Sequence, residues 1–357
     1  MTENDERTRN IAIIGFGASG KTQMADTILY NVRAVQSIGK VIDKTSNMVL
    51  EQEEFEHLTT ITASLATVES NGIRFNIIDT PSQDGFSGDT VHVLQSVDGV
   101  IFVMSAQIDI KQEMEMLLKQ IRMFNLPVLF FINKMDAENA DFYKSLQVYS
   151  AALNMKITPV ALPLGSGDKF EGVYSLIDKN TYLYLKDASG HPKQSAGNAP
   201  SEAEALEKGL IESVAESDDA LLEKYLNNVK LEMSDLSDSI RKAVLSRSLF
   251  PGIPGSAHLN IGIDKLMEYC SLWLPSPHLI HDKVILQSAD GGPAAEVRRS
   301  DSEKPVLFVF KTSMDPYAGK MSYARIFSGK ITQDSILYNA QTGGEEKTNH
   351  IYTMIGV

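Results

Sequence analysis

Over roughly the first 160 residues, short apolar runs alternate with stretches of helical spacing. Ile11–Ile14, Gly99–Met104 and Val128–Ile132 are continuous apolar runs. Lys21–Val32, Ile110–Phe124 and Asp141–Leu153 instead repeat their apolar residues at intervals of three and four, which predicts helices. Ile61–Val68 and Arg74–Ile78, joined through Ser70-Asn71-Gly72, predict a hairpin, and Ile157–Leu162 predicts one further strand. Wholly apolar strands alternating with amphipathic helices predict a mostly parallel, doubly wound α/β sheet covered on both faces.

The pattern changes after about Leu164. Asp187–Ser201 is rich in Gly, Pro, Ser and Ala and reads as a surface loop. Ser201–Ser217, Asp218–Val229 and Ser234–Leu249 predict three amphipathic helices, the third with Ser234 as a candidate N-cap. Phe250–Gly262 reads as a Gly/Pro-rich loop, and Ile263–Trp273 as a helix stopped by Leu274-Pro275-Ser276-Pro277, a natural domain boundary. Beyond Pro277 the pattern is mostly β, with Val306–Thr312, Met321–Phe327 and Ser335–Asn339 as strands and turn signals at Asp315-Pro316 and Gly343-Gly344. Strand material continues to Val357 without a closing strand, the pattern expected of a chain cut inside a β barrel.

Composition adds exclusions. The chain has 357 residues, of which 43% are hydrophobic and 22% charged, enough for real cores and against disorder throughout. The balance of 33 basic against 46 acidic residues, net −13, argues against a nucleic-acid coat and sequence-specific DNA binding. One cysteine, Cys270, rules out an intrachain disulfide and fits a reducing, cytoplasmic compartment. No apolar stretch reaches the ~18 residues that span a bilayer, and the polar N-terminus is no signal peptide. Trp273 and Cys270 read as core residues, and His258 and His278 lack the spacing of metal ligands.

Three motifs carry the chemistry. Gly15-Phe16-Gly17-Ala18-Ser19-Gly20-Lys21-Thr22 matches G-x-x-x-x-G-K-[ST], between a predicted strand and a predicted helix. Backbone N–H groups of such a loop, Gly15, Gly17, Ala18, Ser19 and Gly20 here, cradle phosphate oxygens. Lys21 reaches the β- and γ-phosphates and Thr22 offers its hydroxyl to Mg²⁺. Asp79-Thr80-Pro81 ends a predicted strand, which suits Asp79 to the Mg²⁺-supporting role of a Walker-B aspartate. Asn133-Lys134-Met135-Asp136 follows the strand Val128–Ile132. The Asp136 carboxylate can accept from both N1–H and N2–H₂ of guanine, a donor pair that adenine lacks. Asn133 can tie the base edge to the phosphate loop, and the Lys134 stem can cover the purine face. Gly255-Ser256-Ala257 offers a backbone N–H to guanine O6. In Leu58-Thr59-Thr60-Ile61-Thr62, Thr60, with Thr59 as competitor, can close onto Mg²⁺ when a γ-phosphate is present; the alternative is that both threonines simply begin a strand. The phosphate loop, Asp79-Thr80-Pro81 and Asn133–Asp136, in this order, predict GTP and GDP binding with Mg²⁺, and Asp136 disfavours an ATPase.

The chain resembles bacterial elongation factor G over essentially its whole length. The resemblance rests on the phosphate loop, Gly39–Asp43, Met48–Thr62, Asp79-Thr80-Pro81, Asn133–Asp136 with Ala140-Asp141-Phe142, Pro159–Gly165, Phe170–Val173, Asp218–Tyr225 and Leu274–Pro277. It implies a P-loop NTPase G domain over 1–280 with an α+β insertion at about 164–250, and the start of a β-barrel second domain over 281–357. It also implies a monomeric, ribosome-coupled GTPase with no membrane partner. The acidic helices at 201–229 are then either solvated faces or a docking surface for a basic ribosomal protein. The family usually has Asp where Ala18 stands, Gly-His where Ser82-Gln83 stands, and a switch arginine near His57-Leu58-Thr59. Ser82 can still donate a backbone N–H to the γ-phosphate, and Gln83 can hold the attacking water, as a glutamine does in small regulatory GTPases. These departures mark a divergent paralogue. Two activities follow from the resemblance: ribosome-stimulated hydrolysis using Lys21, Thr60 and Gln83, or a hydrolysis-impaired, nucleotide-gated binding module.

Overall fold

The computed structural model describes residues 6–49, 51–81, 87–108, 110, 113–185, 187–196, 199–227, 233–280, 283–286, 295–315 and 319–354. In chain order these form β1 (Thr8–Gly15), α1 (Lys21–Asn31), α2 (Gln52–His57), β2 (Ser64–Ser70), β3 (Ile73–Asp79), α3 (Ser87–Ser96), β4 (Gly99–Ser105), α4 (Glu113–Met123), β5 (Val128–Asn133) and α5 (Phe142–Leu153). There follow β6 (Ile157–Pro159), β7 (Ala161–Leu164), β8 (Gly172–Ser175), β9 (Thr181–Tyr184), β10 (Pro192–Ser195), α6 (Ala203–Ala215), α7 (Asp219–Leu226), α8 (Met233–Leu245), β11 (Phe250–Pro254), α9 (Ile263–Trp273) and α10 (Pro277–Ile280). The C-terminal part holds β12 (Lys283–Leu286), β13 (Ala295–Arg298), β14 (Val306–Asp315), β15 (Gly319–Ser328), β16 (Ile336–Asn339) and β17 (Gly344–Lys347).

The principal sheet has seven strands in the order β2-β3-β1-β4-β5-β11-β6. All neighbours are parallel except the β2–β3 hairpin. All of β5, and all of β4 up to Met104, is buried, because a strand with helices on both faces has no wet side. Helix α1 packs with α9, while α3, α4 and α5 pack in series. In α9 the rings of Tyr269 and Trp273 stack at 4.5 Å, and Cys270 is buried beside them.

Four local readings change. The expected strand Ile157–Leu162 is two strands: β6 edges the main sheet and β7 opens a second, antiparallel sheet of order β10-β9-β8-β7. Pro159 has no N–H to continue the ladder. The chain crosses between sheets at Val160, whose N–H reaches Gly252 O (3.1 Å) and whose carbonyl accepts from Leu176 (3.0 Å). Phe250–Pro254, expected as part of a loop, is β11, an interior strand between β5 and β6. Its two prolines argue against that placement. It is tolerated because Gly252 O accepts from Val160 and Gly255 N–H donates to Ile132 O (3.0 Å), so other residues supply these bonds. A Cβ on Gly252 would stand 2.9 Å from Ile157 Cγ2 and 3.0 Å from Leu146 Cδ2, so any larger residue would have to displace those side chains. Finally, β10 lies inside the segment expected as loop, and Ser234 lies within α8 rather than before it.

The C-terminal strands pair as antiparallel ribbons β12–β13, β14–β15 and β16–β17. The β14–β15 ribbon is fastened to the principal sheet. Arg325 donates to Ser96 O and to Asp98 Oδ1, both at 2.7 Å, with both charges buried. Asp98 Oδ2 accepts from Asn10, Asn10 from Asn76 and Asn76 from Thr67, a polar chain running back across β1 and β3 to β2.

Candidate functional site

The chemistry-bearing motifs converge at the carboxyl ends of β1, β3, β5 and β11, where open α/β sheets bind ligands. The loop after β1 folds as a nest: Ser19 N–H bonds Phe16 O (3.2 Å), and Ala18 (φ 59°) and Gly20 (φ 92°) are left-handed. A Cβ on Gly20 would lie 2.3 Å from Asn133 Nδ2, so only glycine fits where the two motifs touch. Lys21 is buried, and its Nζ donates to Gly15 O (3.1 Å) and Phe16 O (3.2 Å) around the loop rim.

Thr22, Thr60 and Asp79 meet at one point. Thr22 Oγ1 donates to Asp79 Oδ2 (2.7 Å) and lies 2.9 Å from Thr60 Oγ1. Strand β2 begins only at Ser64, so neither Thr59 nor Thr60 is a strand residue. Asp79 is fully buried, and its Oδ1 accepts no hydrogen bond. Burial pushes its carboxyl up to about 6, against the pull of Lys21 and the Thr22 hydroxyl. A buried carboxylate oxygen without a donor, beside two hydroxyls and a lysine, is a donor set that fits Mg²⁺ with its waters.

The motif Asn133–Asp136 meets the same loop at Ser19 and Gly20. Asn133, the last residue of β5, donates through Nδ2 to Ser19 O (2.8 Å) and accepts through Oδ1 from Ala257 N–H (2.9 Å). It thus ties the phosphate loop to the Gly255-Ser256-Ala257 turn. Lys134 is left-handed (φ 62°), and Met135 N–H bonds Gly255 O (3.1 Å). Asp136 Oδ1 is buried and accepts no hydrogen bond. Both amides of the turn have partners already: Ser256 N–H bonds Ile261 O (3.0 Å) and Ala257 N–H bonds Asn133. In this arrangement neither amide is a spare donor.

Ser82 and Gln83 lie outside the described residues. The sequence reading also passed over two carboxylates that build the site. Asp26, on α1, is buried and accepts from Ser46 Oγ (2.5 Å) and from Asn47 N–H (2.7 Å) and Nδ2 (3.0 Å). Burial raises its pKa and these bonds oppose the rise. Glu54, on α2, is buried and accepts from Ile61 N–H (2.7 Å) and Thr62 N–H (3.1 Å). Asp26 had a legible signal, a lone acid among Met24, Ala25, Ile28 and Leu29; Glu54 had none, since it sits in a run of acids. Among the described residues no group of three or more His, Cys, Asp or Glu is placed to hold a metal ion, and no helix is long and apolar enough to cross a membrane.

Comparison with known proteins agrees with this geometry. Residues 6–276 match the family profile of the elongation factor Tu GTP binding domain, and residues 304–357 match that of elongation factor G domain 2. A crystal structure of a protein from Thermus thermophilus superposes with a TM-score of 0.83 at 25% identity. That match covers 98% of this chain and 49% of the other, so the chain spans about half the length of that relative. The chain therefore belongs to the family of translational GTPases built on the elongation factor Tu GTP binding domain, as an elongation-factor-G-like member.

Proposed function

We propose that the protein binds GTP and GDP with Mg²⁺ and hydrolyses GTP to GDP and phosphate in a ribosome-coupled cycle, as a cytoplasmic monomer. The observation that carries this reading is the meeting of Thr22, Thr60 and Asp79 beside Lys21, with Asp79 Oδ1 and Asp136 Oδ1 both buried and unbonded. The loop amides of 15–20 would hold the phosphates and Asp136 the guanine N1–H and N2–H₂. Asn133 keeps those two halves in register. Mg²⁺, held by the hydroxyls of Thr22 and Thr60 with Asp79 supporting its waters, would draw charge from the β- and γ-phosphate oxygens.

Lys21 would leave its carbonyl partners and neutralise the β–γ oxygen as that bond breaks. Gln83 would orient the water whose oxygen bonds to the γ-phosphorus, with the Ser82 N–H donating to the γ-phosphate. Thr60 returns to solvent when the γ-phosphate is gone, which releases the segment around it.

The test is GTP turnover by the full-length protein with and without 70S ribosomes, beside Gln83→Ala. Ribosome-stimulated turnover that falls by about two orders of magnitude or more in the variant is expected. Tight GTP binding with no turnover under either condition would overturn hydrolysis and leave a nucleotide-gated binding module.

A further inference from the structure

Thr60 sits beside Thr22 and Asp79, yet no regular element holds it there. Helix α2 ends at His57, β2 begins at Ser64, and Leu58 between them is left-handed and exposed. One side chain, that of Glu54, takes two backbone N–H groups of the segment. Glu54 is 1% exposed, although Gln52, Glu53, Glu56 and His57 of the same short helix face water. Its Oε1 accepts from the N–H groups of Ile61 (2.7 Å) and Thr62 (3.1 Å), and its Oε2 from Glu51 N–H (3.1 Å). Its own carbonyl accepts from Thr59 N–H (3.2 Å). Glu54 therefore brackets Thr60 on both sides, and on the far side Lys311 of β14 donates to Ala63 O.

We infer that Glu54 is the positioning residue for Thr60: it touches neither nucleotide nor metal, and it sets the loop in which the Thr60 hydroxyl faces Thr22. The inference rests on the proposed role of Thr60 in recognising the triphosphate state. A buried carboxylate that accepts three backbone N–H groups makes charge-assisted bonds, stronger than those between neutral partners. Alanine removes all three. Glutamine keeps one oxygen for Ile61 and Thr62, but its amide would face the Glu51 N–H donor to donor. Because Thr60 serves only the γ-phosphate state, losing Glu54 raises the cost of closing that state and leaves GDP binding alone.

The experiment measures affinities for GTPγS and GDP in Mg²⁺ for wild type, Glu54→Ala, Glu54→Gln, Thr60→Ala and the Glu54→Ala/Thr60→Ala pair. Glu54→Ala is expected to weaken GTPγS binding about tenfold or more while GDP affinity stays within about twofold, which also reports that the variant is folded. Glu54→Gln should fall between. The double variant should match Thr60→Ala alone, since a residue acting through Thr60 has nothing left to position. Amide exchange at Ile61 and Thr62 in the GTPγS complex should quicken in Glu54→Ala.

Equal losses for GTPγS and GDP, or additive losses in the pair, overturn the inference and make Glu54 a general structural support. A Thr60→Ala defect with an unaffected Glu54→Ala also overturns it, and leaves the Thr60 reading standing. If Thr60→Ala itself leaves the GTPγS-to-GDP ratio unchanged, the Thr60 reading fails and this inference fails with it.

Discussion

Arg325→Ala removes the charge that fastens the β14–β15 ribbon to the principal sheet. Arg325 bonds Asp98 Oδ1 and Ser96 O at 2.7 Å, lies 5.0 Å from the Phe327 ring centroid, and meets a carboxylate that is 0% exposed. Removing one partner of a buried pair costs about 3–5 kcal/mol, because the remaining charge stays desolvated. Asn10 still donates to Asp98 Oδ2 at 2.7 Å, which places the expected loss near the lower end, about 3 kcal/mol. The stranded charge sits immediately before β4 of the principal sheet, so the loss should register at Trp273, the one tryptophan, buried in α9. Urea unfolding followed by its fluorescence measures it. The pair Asp98→Asn/Arg325→Met removes both charges and should recover to within about 1 kcal/mol of wild type. A loss under about 1 kcal/mol in Arg325→Ala, or a double variant no better than the single one, would refute the claim that pairing, rather than packing, holds this junction.

Two further outcomes follow from the site. Asp136→Asn should lower GDP affinity by at least about a hundredfold, two charge-assisted bonds being at stake, and shift preference toward xanthine nucleotides; a titration with GDP and XDP decides, and intact guanine preference would remove Asp136 from base recognition. Burial pushes the Asp79 carboxyl up to about 6 from its ordinary 3.8, so the fold holds the proton more tightly, and the stability lost as pH rises between these values is fully lost above about 6. In EDTA, Asp79→Asn should therefore be more stable than wild type by ~3 kcal/mol at pH 7.5, the advantage shrinking by about 1.4 kcal/mol per pH unit below 6; urea midpoints at pH 7.5 and 5 check this, and a difference independent of pH would contradict it.

The legible parts of the fold were those whose signal is local. Strands β1, β4 and β5 are continuous apolar runs, and the β2–β3 hairpin carries Asn71-Gly72 at its turn. The phosphate loop, Asp79 and Asn133–Asp136 stood out because each is a short motif directly after a strand or at its end. Strand β11 was hidden because Phe250-Pro251-Gly252-Ile253-Pro254 has the composition of a loop, and it pairs only because β5 and β6 flank it. The split at Val160 depends on a second sheet assembled from residues well downstream.

The sequence alone determined the α/β class and pointed to a guanine-nucleotide-binding domain, since each rests on periodicity or on a motif whose atoms are near neighbours along the chain. Tertiary structure decided which acids are buried. Glu54 and Glu53 are adjacent in the same run, yet only Glu54 turns inward to meet the amides of Ile61 and Thr62, while Asp98 meets an arginine far along the chain. Burial and partnership of a charge depend on which distant groups the fold brings within hydrogen-bond reach, and nothing in the charge's own sequence neighbourhood records that distance.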